Sequence, residues 1–349
     1  MHKYPAQLTG KPRQEFEIVS RGRRAPSHPR WFTPAEVSLI ARTVRRALEV
    51  MVTVTGGGVK IGAVSAHLTY ISRRGELGVE NDEGRRLMER TELKALLEDW
   101  RLDLTSGLYR PRNAGRVTRS SKLVHNIVLS MPSRTPPDRV LTAAKKFARE
   151  RFALQHRYAL VLHADQANPH VHLVVKAESE SGKRLHIDKA MLRDWREQFA
   201  ALMREQGIAA NATPRAVRGR NRGKLPTGIF SAQRYGKSTA VHQRLVGIAQ
   251  ELNATDTIRD AARPPLIETR RAFVAGWQKA ADILEGQGEA TLAWEVRQFI
   301  ETLPRLMTDR QALAIRFAEF QAQQREAGRR AAQQKPQRPD LDRDQELTR

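Results

Sequence analysis

The sequence predicts an α+β domain with a mainly antiparallel sheet covered by helices, followed by an all-helical C-terminal region. In the first part of the chain, short apolar runs of strand type alternate irregularly with longer amphipathic runs of helix type. Such a mixture is typical of α+β domains. Closer to the C-terminus, every periodic segment has helical spacing. Hydrophobic residues make up 40% of the 349 residues, enough to bury a core in part of the chain.

The chain begins with a predicted arm and helix. Residues 1–32 are polar, basic and contain proline, so we expect an irregular arm. Thr33 can cap a helix, Pro34 suits the first helical position, and Glu36 completes a capping box. The apolar residues that then fall on one helical face are Val37, Ile40, Ala41, Val44 and Leu48.

Four short runs rich in β-branched and other apolar residues predict strands. They are residues 50–55, 123–131, 158–163 and 170–176. Apolar residues at helical spacing predict the helices of this part of the chain. These helices cover Val64–Ile71, 89–103, 136–152 and about 188–206. Polar, glycine-containing segments at 72–86 and 111–121 predict loops, and the second loop is strongly basic.

The character of the chain changes after residue 211. A basic loop is predicted over 211–238, and a helical region follows, with Trp277 and Trp294 expected in its core. The last residues are rich in Gln, Arg, Asp and Pro, which predicts a disordered tail. The predicted domains are a basic arm and helix (1–49), the α+β domain (50–220), a basic linker with a helical accessory domain (221–320) and the tail (321–349).

The composition excludes several classes of protein. The chain has no cysteine, which excludes a disulfide framework and a zinc–thiolate site, so a metal site must use histidines and carboxylates. The lack of cysteine also fits a cytoplasmic protein. We recognise no signal peptide and no membrane-span sequence, so the excess of basic residues needs another explanation. The net charge of +23 favours a nucleic-acid partner, because neutralised phosphates release counterions. Acidic proteins, membrane surfaces and basic tails without a specific target remain alternative explanations of the charge.

Three histidines and an aspartate lie close together in the segment HADQANPHVH. His170 and His172 are two apart in a predicted strand and therefore project from the same face. His163 ends the preceding strand, and the short link lets it fold back beside the pair. Three imidazoles on one face form a plausible divalent-metal site, and Asp165 could orient an imidazole, accept a proton or join the metal ligands. The alternatives are a buried hydrogen-bonded network or a pH-sensitive patch.

Tyr70 lies near a predicted helix end, just before Arg73 and Arg74. Nearby positive charge stabilises a phenolate, and a phenolate can attack phosphorus to form a phosphotyrosine ester. A tyrosine at a helix end is more often a packing residue, so this interpretation depends on the histidine cluster. Tyr109, in a basic loop, is the main rival nucleophile, whereas Tyr158 opens a strand and is expected in the core.

Several motifs together resemble a known family. HADQANPHVHL resembles the three-histidine motif of HUH endonucleases, in which two histidines flank a hydrophobic residue. GGG followed by LTYISRRGEL resembles the nucleophile motif of conjugative relaxases, in particular the branch that contains the T-DNA border endonuclease of Ti plasmids. The match continues in VHNIVLSMP and in ATPRAVRG, so the resemblance covers residues 50–220.

This resemblance implies a five-stranded antiparallel sheet with helices on one side. It also implies that a divalent cation is held by His163, His170 and His172, and that Tyr70 is the nucleophile. Asp165 matches an acidic position of the motif and is the second candidate catalytic residue. Magnesium or manganese suits phosphate chemistry, whereas zinc or nickel suits imidazole ligands.

The function implied is that of a relaxase that nicks single-stranded DNA at an origin of transfer. Tyr70 would attack the phosphodiester and stay on the 5′ end, while Asp165 or His67 would remove the phenol proton. Accessory relaxosome proteins and a coupling protein are the other expected partners. A bacterial cytoplasmic location is implied, with transfer to a recipient cell and no membrane insertion.

The DNA strand is expected in a basic groove formed by loops. Arg73 and Arg74 would contribute one wall, and residues 110–122 and 215–224 would contribute the others. Within the last segment, Arg215 and Arg218 are the candidate phosphate contacts, with a solvated linker as the alternative. His125, in the strand before the histidine cluster, is an ordinary structural histidine or a residue behind the metal ligands.

Three other functions fit part of this evidence. A rolling-circle replication initiator or a transposase of the HUH class would share the chemistry and differ in its biological role. A metal-dependent hydrolase would cut nucleic acid without forming a covalent adduct. A non-catalytic DNA-binding module would bind DNA equally well in the presence of a chelator.

Overall fold

The computed structural model describes residues 31–102, 121–219 and 264–304, together with residues 246–251 and scattered residues between 239 and 329. The predicted N-terminal arm, apart from its last two residues, and the C-terminal tail, apart from scattered residues, lie outside this description. The basic loops predicted before residue 121 and after residue 219 also lie outside it.

The helices and strands follow each other as a mixture of the two types. The helices are α1 (Pro34–Val44), α2 (Ile61–Ile71), α3 (Arg90–Asp99), α4 (Pro137–Phe152), α5 (Lys189–Glu205), α6 (Pro264–Gly286) and α7 (Ala290–Glu301). The strands are β1 (Leu48–Glu49), β2 (Met51–Gly56), β3 (Val79–Asn81), β4 (Arg86–Leu87), β5 (Val124–Ser130), β6 (Tyr158–His163), β7 (His170–Lys176) and β8 (Ala210–Asn211). Each predicted strand appears within a residue or two of its predicted bounds.

The first helix starts at the predicted capping box. The Thr33 hydroxyl accepts a hydrogen bond from the Glu36 backbone N–H at 3.3 Å, and the Glu36 carboxylate accepts one from the Thr33 backbone N–H at 2.6 Å. Pro34 occupies the first turn. These groups satisfy backbone N–H donors that have no partner inside the helix.

The main sheet has six strands in the order β2–β5–β7–β6–β3–β4, and all its pairings are antiparallel. The predicted α+β class is therefore confirmed, although the implied strand number was five. The edge hairpin β3–β4 lies, except for Leu87, within the segment predicted as a loop. Its strands are short and charged, with Val79 and Leu87 as their buried apolar side chains. Short, charged edge strands resist edge-to-edge pairing, but they carry little hydrophobic pattern.

One face of the sheet packs against α4 and α5. Every second residue of the strands points into this core, as in Leu160, Leu173 and Leu129. Phe147 of α4 lies at its centre, fully buried, with edge-on ring contacts to Phe152, Trp195 and Phe199.

The other face is also covered at one end. The alternate residues Ala159, Val161 and Val174 pack against α2 and α3. The implied arrangement with helices on one side is therefore incomplete, because these strand positions are apolar on both faces and need cover on both. Towards the opposite end of β6 and β7 this face carries the histidines instead.

A small parallel pairing of β1 with β8 joins α1 to the segment after α5. A buried polar network supports it: the Asn211 amide donates to the Thr43 hydroxyl at 3.1 Å, and the Thr213 hydroxyl donates to the Glu49 carboxylate at 2.8 Å. The Arg218 guanidinium lies 3.3 Å from the same carboxylate. The buried Asn211 and Thr213 side chains thus have hydrogen-bond partners, as low-dielectric surroundings require.

The chain divides into two compact units. One contains the described residues up to 218 together with 276–301, and in it the Trp277 indole N–H donates to the Val217 carbonyl at 3.1 Å. The other contains 219–275 and residues after 301, and in it the Arg270 guanidinium donates to the Pro304 carbonyl at 2.8 Å. The predicted domain boundaries remain a prediction. No helix within the described ranges is long and apolar enough to cross a membrane.

Replacing Phe147 with alanine should cost about 3–5 kcal/mol of unfolding free energy, because the side chain is fully buried among three other rings. Leu154→Ala is the matched control, since this leucine is fully exposed and its loss should change stability by less than about 0.5 kcal/mol. Urea unfolding at neutral pH measures both values. Equal effects of the two substitutions would contradict the described core.

Candidate active site

Three imidazoles converge where β6 ends and β7 begins. His163 and His170 are paired across the two antiparallel strands, and His172 lies two residues further on the same face. The ring centroids are 5.0 Å apart for His163 and His170, 4.6 Å for His163 and His172, and 5.0 Å for His170 and His172. One nitrogen from each ring lies within 4.8 Å of the others. The predicted cluster is therefore present. It is formed by the register of β6 and β7, which the short link between them already implies.

Backbone carbonyls set the tautomers of two of these rings. His163 Nε2 lies 2.7 Å from the Ile71 carbonyl oxygen, and His170 Nδ1 lies 3.0 Å from the Asn168 carbonyl oxygen. A carbonyl can only accept, so each of these nitrogens must carry the proton. His163 Nδ1 and His170 Nε2 are then left with their lone pairs available. Such outer hydrogen bonds orient histidine ligands of metals.

Burial disfavours the protonated form of two of these imidazoles. It lowers the pKa of His172 to about 3, with further contributions from the neighbouring His163, His170 and His67. Burial also lowers the pKa of His163. Metal ligands must be deprotonated, so a cluster that resists protonation favours a bound cation.

An unpartnered nitrogen in the histidine cluster also fits a bound divalent cation. His163 Nδ1 is buried and has no hydrogen-bond partner among the described residues. A buried polar atom without a partner is costly, and a metal–nitrogen bond would satisfy it. Three imidazoles leave open coordination positions, and on ligand chemistry alone they favour zinc, nickel or copper over magnesium.

Tyr70 lies in the last turn of α2 and is 73% exposed. The helix is held against the sheet by its opposite face, where Val64, Leu68 and Ile71 are fully buried. The carbonyl that His163 binds belongs to Ile71, the residue after Tyr70. The predicted nucleophile and the histidine cluster are therefore joined by one hydrogen bond between distant parts of the chain.

His67 is one helical turn before Tyr70 and lies beside the cluster. Its ring centroid is 6.3 Å from that of His172, in an edge-on contact. Its Nε2 is buried without a hydrogen-bond partner among the described residues, and burial lowers its pKa. From the sequence alone, His67 was one of two candidate acceptors of the phenol proton. The i, i+3 spacing was the signal that His67 and Tyr70 lie on the same side of α2.

Asp165 pairs with an arginine from the turn after α2. The Arg73 guanidinium lies 2.5 Å from the Asp165 carboxylate, and both side chains are partly exposed. Arg73 and Arg74 have left-handed backbone angles, with φ of 51° and 60°, and Gly75 follows at 102°. For residues other than glycine this conformation costs about 1–2 kcal/mol each. The strained turn thus brings Arg73 to Asp165, and Asp165 is outside the set of three clustered imidazoles.

Other predicted site residues lie elsewhere or outside the description. Arg218 is engaged with Glu49 and only 18% of its side chain is exposed. Arg215 begins the same short 3-10 helix, Arg215–Arg218. Tyr109 and the basic loops predicted to line the groove fall outside the described residues, apart from a few terminal positions. Tyr158 is buried in the core, as expected.

His125 points to the opposite face of the sheet, away from the cluster, and its Nε2 lies 3.2 Å from the Leu185 carbonyl oxygen. Burial, followed by the charge of Lys122, lowers its pKa to about 4. The folded protein therefore protonates His125 less readily than the unfolded chain does, because histidines in an unfolded chain have a pKa of about 6.5. Its contribution to stability is therefore complete above about pH 6.5 and is lost as the pH falls towards 4.

We expect His125→Gln to flatten the loss of unfolding free energy between pH 7 and about pH 4.5, because the titrating group is gone. Urea unfolding at both pH values measures it. His186→Gln, at an exposed histidine, is the control and should keep the wild-type pH dependence. An unchanged pH dependence in His125→Gln would show that His125 does not contribute.

Comparison with known proteins supports the resemblance. The family model described as "Relaxase: MobA/VirD2-like, nuclease domain" matches residues 88–208. The chain is 26% identical over 189 residues to the T-DNA border endonuclease VirD2 of Rhizobium radiobacter, covering 50% of this chain and 43% of that protein. It is also 26% identical over 193 residues to VirD2 of Agrobacterium fabrum, covering 50% and 41%. The matches thus span less than half the length of these relatives, and the resemblance to the VirD2 branch of relaxases is confirmed.

Solved structures of the conjugative relaxase TrwC also align with the chain. Its complex with OriT DNA in the metal-free form covers 80% of this chain and 99% of the TrwC chain, with 13% identity and a TM-score of 0.29. The metal-bound form covers 80% and 98%, with 13% identity and a TM-score of 0.31.

Proposed function

We propose that this chain, whose residues 88–208 match the nuclease domain of MobA/VirD2-like relaxases, is a conjugative relaxase. It nicks one DNA strand at an origin of transfer by tyrosine transesterification. It then remains covalently attached to the 5′ end of the cut strand.

The observation that carries this proposal is the hydrogen bond that His163 Nε2 donates to the Ile71 carbonyl. It holds the helix end that bears Tyr70 against the cluster of three imidazoles. An exposed phenol beside a candidate metal site is what attack on a phosphodiester requires, since the nucleophile and the activated phosphate must meet at one point. A structural histidine network would not need an exposed tyrosine at this position.

The proposed reaction is an exchange of one phosphoester for another. The Tyr70 oxygen bonds to phosphorus, the bond from phosphorus to the 3′ oxygen breaks, and the 3′ oxygen takes up a proton. His67 is the candidate acceptor of the phenol proton, because its buried Nε2 has no hydrogen-bond partner among the described residues. A divalent cation held by His163, His170 and His172 would stabilise negative charge on the scissile phosphate. Because the ester conserves the bond energy, the step can reverse and rejoin the strand.

The positive charges of the turn after α2 have a supporting role. Arg74 is available for a phosphate contact, and Arg73 can reach a phosphate from its position beside Asp165. In this proposal Asp165 acts mainly by holding Arg73, and a direct proton transfer is the less supported role. Arg215 and Arg218 remain proposed phosphate contacts, although Arg218 would have to leave Glu49.

The biological setting follows from the proposed reaction. The protein would act in the bacterial cytoplasm on single-stranded DNA at the transfer origin. Accessory relaxosome proteins would expose that strand, and a coupling protein would pass the protein and its attached strand to the recipient cell. The native cation is magnesium or manganese in this proposal, with zinc or nickel as alternatives.

The test is adduct formation by the full chain. The protein is incubated with a labelled single-stranded oligonucleotide from its own transfer origin, with Mn²⁺ or with EDTA, and resolved on a denaturing gel. We expect a shifted band that requires Mn²⁺ and disappears after protease treatment. Cleavage without a shifted band would replace the proposal by a hydrolase. Tight binding unchanged by EDTA, with no cleavage, would replace it by a DNA-binding module.

A further inference from the structure

An open pocket of about 560 Å³ lies beside the Arg73–Asp165 pair. Its floor is formed by the apolar side chains Leu141, Leu160 and Leu162. Its rim consists of charged side chains from the turn after α2, the edge hairpin, α4 and the link after β6. These rim residues are Arg73, Glu76, Glu80, Arg86, Lys145 and Asp165.

The pocket and the histidine cluster lie on opposite faces of the same strand end. Leu160 and Leu162 alternate with Val161 and His163 along β6, so they point to the other side of the sheet. The chain then turns around this end through Ala164 and Asp165, which also line the pocket. A single DNA strand with one phosphate at the imidazoles therefore needs only to pass around this end of β6 for a neighbouring nucleotide to reach the pocket.

The balance of charge at the rim argues against a phosphate as the occupant. Three cations face three carboxylates, and two of these pairs are close: Arg73 with Asp165 at 2.5 Å and Lys145 with Glu80 at 2.6 Å. An anion would meet as much repulsion as attraction. A neutral flat group with both donors and acceptors at its edge meets partners for both.

The walls suit a flat aromatic group as well. A side chain at Gly78 would collide with the Arg86 side chain, whose Cγ would lie 2.7 Å from an added Cβ, so the absence of a side chain lets Arg86 lie flat on the backbone. Apolar floors with a few polar rim groups are typical of small-molecule sites in this size range. Flipped or unstacked bases are held in the same way, between apolar surfaces and polar groups at the base edge.

We propose that this pocket receives an unstacked nucleobase from the single strand, a short distance along the strand from the scissile phosphate. The proposal rests on the proposed function, because it assumes that a single strand lies at the histidine cluster. It gives the chain a specificity site on the face of the sheet opposite the histidine cluster. The base edge would be recognised by the charged rim, and the ring would be covered by the three leucines.

The test couples the pocket to one position of the DNA. Each nucleotide of the origin oligonucleotide is replaced in turn by an abasic one, and binding is measured in EDTA for the wild type and for Leu141→Trp, which fills the floor. At one position we expect the abasic replacement to weaken wild-type binding roughly tenfold, as for a stacked base. In Leu141→Trp the same replacement should have no effect, because the base is already excluded. Leu154→Trp, at a fully exposed leucine, should behave as the wild type.

The possible outcomes distinguish a failure of the pocket proposal from a failure of the relaxase proposal. Identical abasic profiles in the wild type and Leu141→Trp would overturn the pocket while leaving the relaxase proposal intact. A wild type that neither binds nor cuts the oligonucleotide would overturn both proposals. Circular dichroism monitors the folding of each variant. If Leu141→Trp does not fold, Leu162→Phe fills the same floor with a smaller change of volume and must show the same loss of sensitivity at that position.

Discussion

Replacing Tyr70 with phenylalanine should abolish the covalent DNA adduct and lower the nicking rate ~10³-fold or more, since loss of a nucleophile removes the reaction path itself. Tyr70 is 73% exposed, so the loss of its hydroxyl should leave the fold unchanged. Binding of uncut DNA in EDTA should therefore stay close to that of the wild type. The denaturing gel with Mn²⁺ measures the adduct, and circular dichroism measures the fold.

The controls for this variant are the other tyrosines. Tyr158→Phe removes a phenol from the buried core and should leave the adduct intact. Tyr109→Phe tests the rival nucleophile, whose position lies outside the described residues. An adduct that survives in Tyr70→Phe and vanishes in Tyr109→Phe would transfer the nucleophile role to Tyr109.

The double substitution His170→Ala/His172→Ala should remove both the nicking activity and the response to metal. Two of three candidate ligands are lost, and His163 alone cannot hold a cation in the same way. In the wild type, a cation present at about 100 times its Kd should raise the unfolding free energy by about 2.7 kcal/mol. In the variant this stabilisation should be absent.

Thermal unfolding with Mg²⁺, Mn²⁺, Zn²⁺ or Ni²⁺, each compared with EDTA, measures the response and ranks the cations. His186→Ala serves as the control, because it removes an exposed histidine and should keep the full metal response. A wild type whose melting temperature does not respond to any cation would leave the histidines as a structural network. A double variant that still nicks DNA would exclude them as required ligands.

The histidine cluster could be predicted because its geometry is local. His170 and His172 share a face by strand alternation, and a link of six residues brings His163 back beside them. The register between the two strands follows from this short connection. The pattern therefore contained both the residues and their approximate arrangement.

The contacts that join the cluster to the rest of the site could not be predicted in the same way. The bond from His163 to Ile71 and the pair of Arg73 with Asp165 each connect residues that are 92 positions apart. Hydrophobic periodicity contains no information on such pairs. They depend on how α2 packs across the sheet, which is set by the whole core on that face.

Two features of the fold were missed for related reasons. The edge hairpin has one buried apolar side chain in each strand, so its sequence has the polarity of a loop. Trp294 was expected in the core with Trp277, but it is 60% exposed, because the buried face of α7 is formed by other residues. Residue type alone therefore placed one tryptophan correctly and the other wrongly.

The link between the candidate metal site and the helix of Tyr70 uses a main-chain acceptor. The carbonyl of residue 71 exists whatever side chain that position carries, so natural variation at that position can proceed without breaking the link. An alanine scan of α2 would pass over it, since no truncation of residue 71 removes the oxygen. Side-chain substitution can break this hydrogen bond only at its donor, the imidazole of His163. A substitution there also removes a candidate metal ligand. Replacing the peptide bond between residues 71 and 72 with an ester, which weakens the carbonyl of residue 71 as an acceptor, would separate the two effects.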